Sequence, residues 1–449
     1  MAMDERTAAL SQLLDSGRFA ALRAALEEMH EVDIAAFIED LPDKYALIVF
    51  RTLGKDTALH VFSQLDSDMQ QHIVSSITDK ELGVIIDDLW VDDTVDMLEE
   101  MPATLVKKVL RSSSPEMRDL INQFLKYGKN SAGSIMTAEF AELRAGMTVG
   151  DALRHLRSIS HEVETIYTCF VTDNTRILLG VVPMKALLLA ADSRTVGELM
   201  EQDVISVTTT TDREETVKLV AKYGFMSLPV VDAEHRLVGI VTVDDAADVL
   251  QEEDTEDFEK MAAISPSEKP YLKTGVFELA KNRFPWLLFL MVSNMLTGVI
   301  LGVFESVYTI MPVFVVFMPM LTGTGGNAGS QSSTMVIRGM ALGEIAPKDF
   351  FAVLWKETRV CLLVGAALAV INFARILITN PGEIGLAILV SLVLIGSIFI
   401  GKSIGGILPI IAEACRVDPA LVAAPLITTI VDALVLVLYF GVAKIAFGL

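Results

Sequence analysis

The chain has few of the residues that build disulfides, transition-metal sites and most catalytic centres. Only three of its 449 residues are cysteine, Cys169, Cys361 and Cys415, and their spacing fits neither a disulfide framework nor a zinc or redox motif. All six histidines lie before residue 236, so residues 285–449 contain none. Because no paired nucleophile and base is evident either, we do not expect an enzyme.

Positive charge is also scarce. The chain holds 36 Lys and Arg against 58 Asp and Glu, and the whole surplus lies in residues 1–284, which hold 50 acidic and 28 basic residues. This acidity argues against nucleic acid as a partner of the first part and favours a cationic ligand. A hydrophobic content of 52% and a mean hydropathy of +0.49 exceed those of soluble chains, so we expect the remainder to lie in lipid.

Five stretches of the remainder are apolar over nearly the length that crosses a bilayer. They are residues 284–304, 306–337, 359–378, 384–412 and 419–442. No apolar core follows Asp4 and Glu5, so we expect no secretory signal and a cytoplasmic N-terminus. The loops then assigned to the cytoplasm hold most of the Lys and Arg of this part, which fits the positive-inside rule and places the C-terminus outside. We therefore predict a multi-pass membrane protein with a five-helix transmembrane domain over residues 284–449.

Residues 1–130 have the spacing of short amphipathic helices. Units such as residues 33–41 and 81–89 each end in two acidic residues and a leucine. This pattern predicts an acidic, all-α N-terminal domain. A helical repeat array and a plain helical bundle fit it almost equally well.

From residue 133 onward, short β-branched runs alternate with helical ones, and the pattern occurs twice. Residues 178–182 match residues 237–241, and each copy is about 60 residues long. This duplication resembles a pair of α/β CBS domains, which we assign to residues 131–198 and 199–251.

The two copies differ where CBS domains bind ribose. The second copy keeps the Thr242 and Asp245 of that pattern, whereas the first has Pro183 and Ala186 at the matching places. A nucleotide-binding pair and a purely structural pair both remain open.

An acidic run joins the second copy to the first apolar stretch. Six carboxylates lie between Glu252 and Glu259, within a segment, residues 252–283, that we predict as a connecting helix. Like charges at this spacing repel on an isolated helix. The run is either a solvated acidic linker or a binding site for a divalent cation, which prefers oxygen ligands.

Two features mark the apolar stretches. Asp432 lies midway along the fifth, where an ionised carboxylate costs about 3 kcal/mol, so we expect it to face a pore or a partner. Residues 319–334 are rich in glycine and small polar residues, which indicates either unwound backbone lining a cavity or close helix packing. Oxygen ligands without histidine or cysteine suit Mg²⁺, Ca²⁺ or Mn²⁺. A homodimer would place two copies of Asp432 around one axis.

These residues resemble the MgtE family of magnesium transporters and channels over nearly the whole chain. The most specific matches are residues 324–332, residues 336–339 and Asp418-Pro419-Ala420, which leads to Thr428 and Asp432. The resemblance implies a homodimeric Mg²⁺-selective channel in a bacterial plasma (inner) membrane. It also implies that intracellular Mg²⁺ closes the pore by binding between acidic cytosolic domains, and that ATP can bind the CBS pair.

The resemblance also suggests roles for individual residues. The ion path would be lined by Asp432, Asn327, Ser330, Thr334 and Thr428. Regulatory Mg²⁺ would be bound by Asp92, Asp96, Asp245, Asp248, Glu214, Glu253, Glu256, Asp257 and Asp418. Three residues depart from the pattern, because His60 and Gly224 stand where some members have carboxylates and Ala424 replaces a polar residue of the path.

Other membrane functions fit less well. A chloride channel with CBS domains is disfavoured because Asp432 would repel the anion. A proton-coupled Mn²⁺ or Co²⁺ transporter using Asp432 as a relay is the alternative prediction. A membrane-anchored nucleotide sensor would need no carboxylate within a span.

Overall fold

The computed structural model describes residues 2–267, 271–422 and 424–448 of the chain. Their contacts divide the chain into two units, Met1–Leu250 and Gln251–Leu449.

Short helices fill the first part of the first unit. Polar residues start several of them: Asp66 accepts a hydrogen bond from the backbone of Met69, and Thr78 and Glu81 form a reciprocal capping box. The helices are α1 (Ala2–Asp15), α2 (Phe19–Leu26), α3 (Glu31–Glu39), α4 (Asp43–Thr52), α5 (Lys55–Ser63), α6 (Ser67–Ser76), α7 (Asp79–Asp88), α8 (Val91–Glu100), α9 (Ala103–Ser112) and α10 (Pro115–Phe124). The predicted helical N-terminal domain is therefore confirmed.

Two small sheets of the same design follow. The first repeat contains β1 (Phe140–Arg144), α11 (Val149–Ile159), β2 (Thr165–Thr172), β3 (Leu178–Pro183), α12 (Met184–Leu189) and α13 (Val196–Leu199). The second contains β4 (Val207–Thr208), α14 (Arg213–Tyr223), β5 (Ser227–Val231), β6 (Leu237–Thr242) and α15 (Val243–Met261). In each sheet the first two strands are parallel and the last two antiparallel, and this repeated design confirms the predicted duplication.

One hydrophobic core joins the helical domain to the second repeat. Buried apolar residues from Leu10 of α1 to Val249 of α15 belong to a single cluster. The first repeat has a core of its own around Cys169 and Leu187. Carboxylates at the start of α8 and α15 are thereby held within one packed unit.

Long helices dominate the second unit. They are α16 (Val276–Val303), α18 (Val313–Ala341), α19 (Phe350–Thr379), α20 (Ile384–Ala414) and α21 (Ala424–Phe447), with the short α17 (Glu305–Ile310) and 3-10 turns at Pro347–Asp349 and Pro419–Val422. Four segments in the described part are long and apolar enough to cross a membrane: Val276–Val303, Pro347–Thr379, Ile384–Ala414 and Pro419–Phe447. The second predicted span coincides with α18, which is 29 residues long but rich in small polar residues. A fifth crossing therefore stays a prediction.

The helices decide one open alternative and correct one prediction. Of the two alternatives for the glycine-rich residues 319–334, unwound backbone is excluded, because α18 is continuous from Val313 to Ala341. The connecting segment 252–283 is not one helix, because α15 ends at Met261 and α16 begins at Val276. Pro266 lies between them and cannot donate a helical hydrogen bond.

Candidate metal centre and ion path

Helices α18 and α20 touch backbone to backbone. A Cβ atom added to Gly401 would overlap the carbonyl oxygen of Gly325, and one added to Gly405 would overlap that of Gly329. Both helices thus carry glycines four residues apart on their contact faces, the arrangement that lets membrane helices pack closely. Close packing, not unwinding, explains these glycines.

Asp432 of α21 faces α18. A Cβ atom built on Gly326 would lie 3.8 Å from Asp432 Oδ1 and 3.1 Å from the methyl group of Thr428. Thr428 Oγ1 donates a hydrogen bond to the carbonyl oxygen of Pro425 at 2.9 Å, which leaves its lone pairs available. No residue of the described part forms a hydrogen bond or ion pair with the carboxylate of Asp432. This carboxylate therefore has unused ligand oxygens.

Polar residues form an exposed stripe along α18. Asn327, Gln331 and Thr334 are exposed in the single chain and recur at the i, i+4, i+7 spacing of one helix face. We call these three residues the polar face of α18. Ser330 is half-buried, and its hydroxyl donates to the carbonyl oxygen of Gly326 at 3.1 Å. Gln331 was missing from the sequence-based set, although its spacing from Asn327 could have identified it.

Three carboxylates converge in the first unit. One oxygen from each of Asp92, Glu164 and Asp245 lies within 4.8 Å of the others. Asp92 is 7% exposed, and its Oδ1 atom has no hydrogen-bond partner among the described residues. The Oε2 atom of Glu164 is also buried without a partner there. Buried carboxylate oxygens that lack donors are suited to a hard divalent cation.

Burial and mutual repulsion raise the pKa values of these carboxylates. Burial, with the charge of Asp245, raises the pKa of Glu164 to about 8 and that of Asp93 to about 6. Burial and the same charge raise the pKa of Asp92 well above its usual value. Burial raises the pKa of Asp245 as well, although a hydrogen bond from Thr242 opposes the change. Protons or a divalent cation can therefore offset the repulsion within the cluster.

The structure brings only some of the predicted regulatory residues together. Asp92 and Asp245 meet, whereas Asp96 and Asp248 are exposed and lie outside the cluster of three. Glu164, which no sequence motif marks, completes the cluster from the turn before β2. Glu214 instead pairs with Lys218 at 2.5 Å.

A lysine occupies the space between two other predicted ligands. Lys260, in the last turn of α15, lies 2.7 Å from Glu256 and 2.7 Å from Asp418. Burial lowers the pKa of Lys260, but the hydrogen bonds to both carboxylates outweigh it and raise the pKa overall. Glu253 and Asp257 lie on the same helix. A divalent cation at Glu256 and Asp418 would have to displace this ammonium group.

Two of the three residues that depart from the family pattern lie in ordinary positions. His60 is in the last turn of α5, and Gly224 ends α14 with a φ of 67°, a left-handed conformation that glycine adopts without strain. The side chain of Ala424 lies outside what the structure describes. Thr242 and Asp245, the two residues of the ribose pattern, form a hydrogen bond at the start of α15. Asp245 therefore belongs both to the ribose pattern and to the acidic cluster.

Comparisons with known proteins cover the whole chain. The MgtE family model, described as a divalent cation transporter, matches residues 318–442, the MgtE intracellular N domain matches residues 29–130, and the CBS domain matches residues 196–252. The magnesium transporter MgtE of Thermus thermophilus is 36% identical over 448 residues, 99% of both chains. That of Bacillus subtilis is 31% identical and covers 99% of this chain and 98% of its own length.

Two solved structures resemble the soluble part. The soluble part of a magnesium transporter covers 56% of this chain and 99% of its own, with 27% identity and a TM-score of 0.53. The cytosolic domain of the Mg²⁺ channel MgtE in complex with ATP covers 54% of this chain and 99% of its own, with 36% identity and a TM-score of 0.52. The helical domain and the paired repeats thus have the architecture of these proteins.

Proposed function

The chain belongs to the MgtE family of magnesium transporters, and from this premise we propose that two copies of it form a Mg²⁺-selective channel for Mg²⁺ uptake. The observation that carries the proposal is Asp432, a carboxylate within an apolar helix for which the described residues supply no partner. An ionised carboxylate within an apolar helix is costly when no protein group compensates its charge. Such a carboxylate is suited to bind a cation that is not part of the protein. Two copies around a two-fold axis would present two negative charges to one divalent ion.

The ion path in this proposal combines α21 and α18. Asp432 supplies charge, and Thr428, Ser330 and the polar face of α18 supply neutral oxygens and an amide. Neutral oxygens can hold an ion that keeps most of its water, as Mg²⁺ does. The exposed stripe supports this arrangement, because polar side chains at the surface of a membrane helix face water or a partner.

The proposed topology has five crossings, with α18 as the second. The N-terminal domain and the CBS pair then lie in the cytoplasm and the C-terminus lies outside a bacterial plasma membrane. The chain is a transport protein, not an enzyme.

Feedback closure is the second part of the proposal. Mg²⁺ binding among Asp92, Glu164 and Asp245 would relieve the repulsion between their carboxylates and favour the packed, closed arrangement of the cytosolic domains. A state that binds Mg²⁺ better gains population as Mg²⁺ rises. Further regulatory ions remain proposed at Asp96, Asp248, Glu214, Glu253, Glu256, Asp257 and Asp418.

ATP is proposed as a modulator at Thr242 and Asp245. The ATP complex of the related cytosolic domain supports nucleotide binding in this architecture. Because Asp245 also belongs to the acidic cluster, a nucleotide bound there would change the field at the regulatory cation.

The direct test compares Mg²⁺ flux through the wild type and Asp432→Asn in liposomes. Asparagine keeps the shape and removes the charge, so we expect flux to fall by at least an order of magnitude, since one buried charge contributes several kcal/mol to a site. Glu413→Gln, an exposed carboxylate at the end of α20, is the matched control and should retain flux. Unchanged flux through Asp432→Asn would refute the path. Flux that requires an imposed pH gradient would instead favour the proton-coupled alternative.

A further inference from the structure

A lysine and a glutamate form an ion pair between two long helices of the second unit. Lys402 lies twelve residues before the end of α20, about 18 Å along the helix, and is 7% exposed. Its ammonium group lies 3.2 Å from Oε2 of Glu357 on α19, whose side chain is 15% exposed. The ammonium group is therefore enclosed by neighbouring helices and not extended into solvent.

A serine of α18 completes this group. Ser332 Oγ donates to Glu357 Oε2 at 2.7 Å and accepts from Lys402 Nζ at 3.2 Å. Each of α18, α19 and α20 thus contributes one residue to a contact in which both charges are compensated. We call Ser332, Glu357 and Lys402 the buried clamp.

Stability alone is a poor explanation for the buried clamp. A buried ion pair often stabilises a protein no more than apolar residues of similar volume would, because both charges lose their hydration. Its best-attested use is to select one arrangement of packed helices over others. The clamp is therefore expected to specify where α18 lies.

The glycine contact explains why α18 needs such a restraint. The glycines of α18 and α20 meet with few side-chain atoms between them, so directional hydrogen bonds beside this contact can hold the helix rotation more tightly than the glycines alone. Directional hydrogen bonds flank it: Ser397 Oγ donates to the carbonyl oxygen of Leu321 at 2.6 Å, and Ser332 joins the buried clamp at the other end. These two contacts are suited to hold α18 at the rotation that brings its glycines against α20.

We propose that Ser332, Glu357 and Lys402 are positioning residues that fix the rotation of α18 and thereby hold its polar face towards the ion path. The proposal rests on the proposed function, because it needs an ion path along α18. A rotation of about 20° moves a side chain about 5 Å from the helix axis by about 2 Å. That shift exceeds the range over which a hydrogen bond to a hydrated ion survives.

The sharpest test uses two neighbouring serines. Ser332→Ala removes only the contact between α18 and the ion pair, which itself stays intact. Ser333→Ala is the matched control, because Ser333 is buried and its hydroxyl has no hydrogen-bond partner among the described residues. Full-length variants in liposomes are compared for thermal stability, the Mg²⁺ concentration at half-maximal flux, and the Mg²⁺ to Ca²⁺ flux ratio.

We expect Ser332→Ala to raise the half-maximal Mg²⁺ concentration on the order of tenfold and to lower the flux ratio, as loss of a supporting contact does at metal sites. Ser333→Ala should leave both values unchanged. The double variant Glu357→Leu with Lys402→Met buries no charge and leaves Ser332 no acceptor at residue 357, so it should melt close to the wild type yet show the same loss of affinity and selectivity.

Two results would overturn the proposal. One is equal affinity and selectivity for Ser332→Ala and Ser333→Ala, and the other is wild-type transport by the neutral double variant. Either would reduce the buried clamp to a structural contact. Failure of the proposed function is distinguishable, because it appears as unchanged flux in Asp432→Asn, whatever the clamp variants do.

Discussion

Neutralising Glu164 should imitate the binding of a cation at the acidic cluster. The oxygens of Asp92, Glu164 and Asp245 lie within 4.8 Å of one another, so each ionised pair repels by about 0.9 kcal/mol in water and by about 3.5 kcal/mol at an effective dielectric constant of about 20. Glu164→Gln removes two of the three pairs. When all three carboxylates are ionised and Mg²⁺ is absent, the substitution should therefore stabilise the first unit by about 2 to 7 kcal/mol.

The effect must depend on pH. Because the pKa of Glu164 is raised from 4.5 to about 8, the folded state keeps a proton that the unfolded chain releases between these values. Stability then falls as the pH rises through this window, since the folded state binds more protons than the unfolded one. Without Mg²⁺, the wild type should melt at a lower temperature at pH 9 than at pH 6. Glu164→Gln should show a smaller decrease.

The assay is thermal melting of the purified full-length protein with EDTA or with excess Mg²⁺. At pH 9 in EDTA we expect Glu164→Gln to melt above the wild type, and the gain on adding Mg²⁺ to be smaller because one ligand is lost. Glu162→Gln, an exposed carboxylate two residues away, is the control and should melt as the wild type does. A lower melting temperature for Glu164→Gln in EDTA, or an unchanged gain with Mg²⁺, would refute the reasoning.

Two further predictions concern the second unit. Lys260→Met removes the ammonium group from Glu256 and Asp418, so both carboxylates become available to a divalent ion. In flux assays we expect the channel to close at a several-fold lower cytosolic Mg²⁺ concentration. Closure at a higher concentration would contradict this prediction. Gly405→Ala adds a methyl group that overlaps a backbone oxygen of α18, so it should lower the melting temperature and the flux. In the control Gly441→Ala the added methyl group meets no atom within 4 Å, so neither value should change. Equal melting temperatures and fluxes for the two variants would exclude the close contact.

Local patterns predicted most of the architecture. Helical spacing identified the N-terminal domain, and the duplicated β-branched runs identified the paired sheets, because both signals repeat within a few residues. The glycine-rich segment was harder, since glycine weakens an isolated helix and also lets two helices approach closely. The choice between unwound backbone and close helix packing depends on the glycines of α20, which lie about 76 residues after those of α18. Sequence spacing does not reveal that these two sets of glycines meet.

The acidic cluster shows a similar limit. Asp92 and Asp245 were proposed together by resemblance, but Glu164 has no motif, and its place depends on how the first repeat packs within the unit. Lys260 was likewise missed as the partner of Glu256 and Asp418. Side-chain partners across tens of residues follow from tertiary packing, which one sequence does not specify by periodicity alone.

The carboxylates differ in whether a basic side chain lies beside them. Glu357 is compensated by Lys402, and Asp418 by Lys260, so a cation that binds either carboxylate must compete with a lysine ammonium group. Asp92, which is buried, and Asp432, which is half-buried, have no basic partner among the described residues, and the loss of hydration without such a partner favours binding of a cation. A lysine beside Asp432 would place a positive charge on the proposed ion path and repel the conducted cation. Cation passage therefore requires that Asp432 have no basic partner.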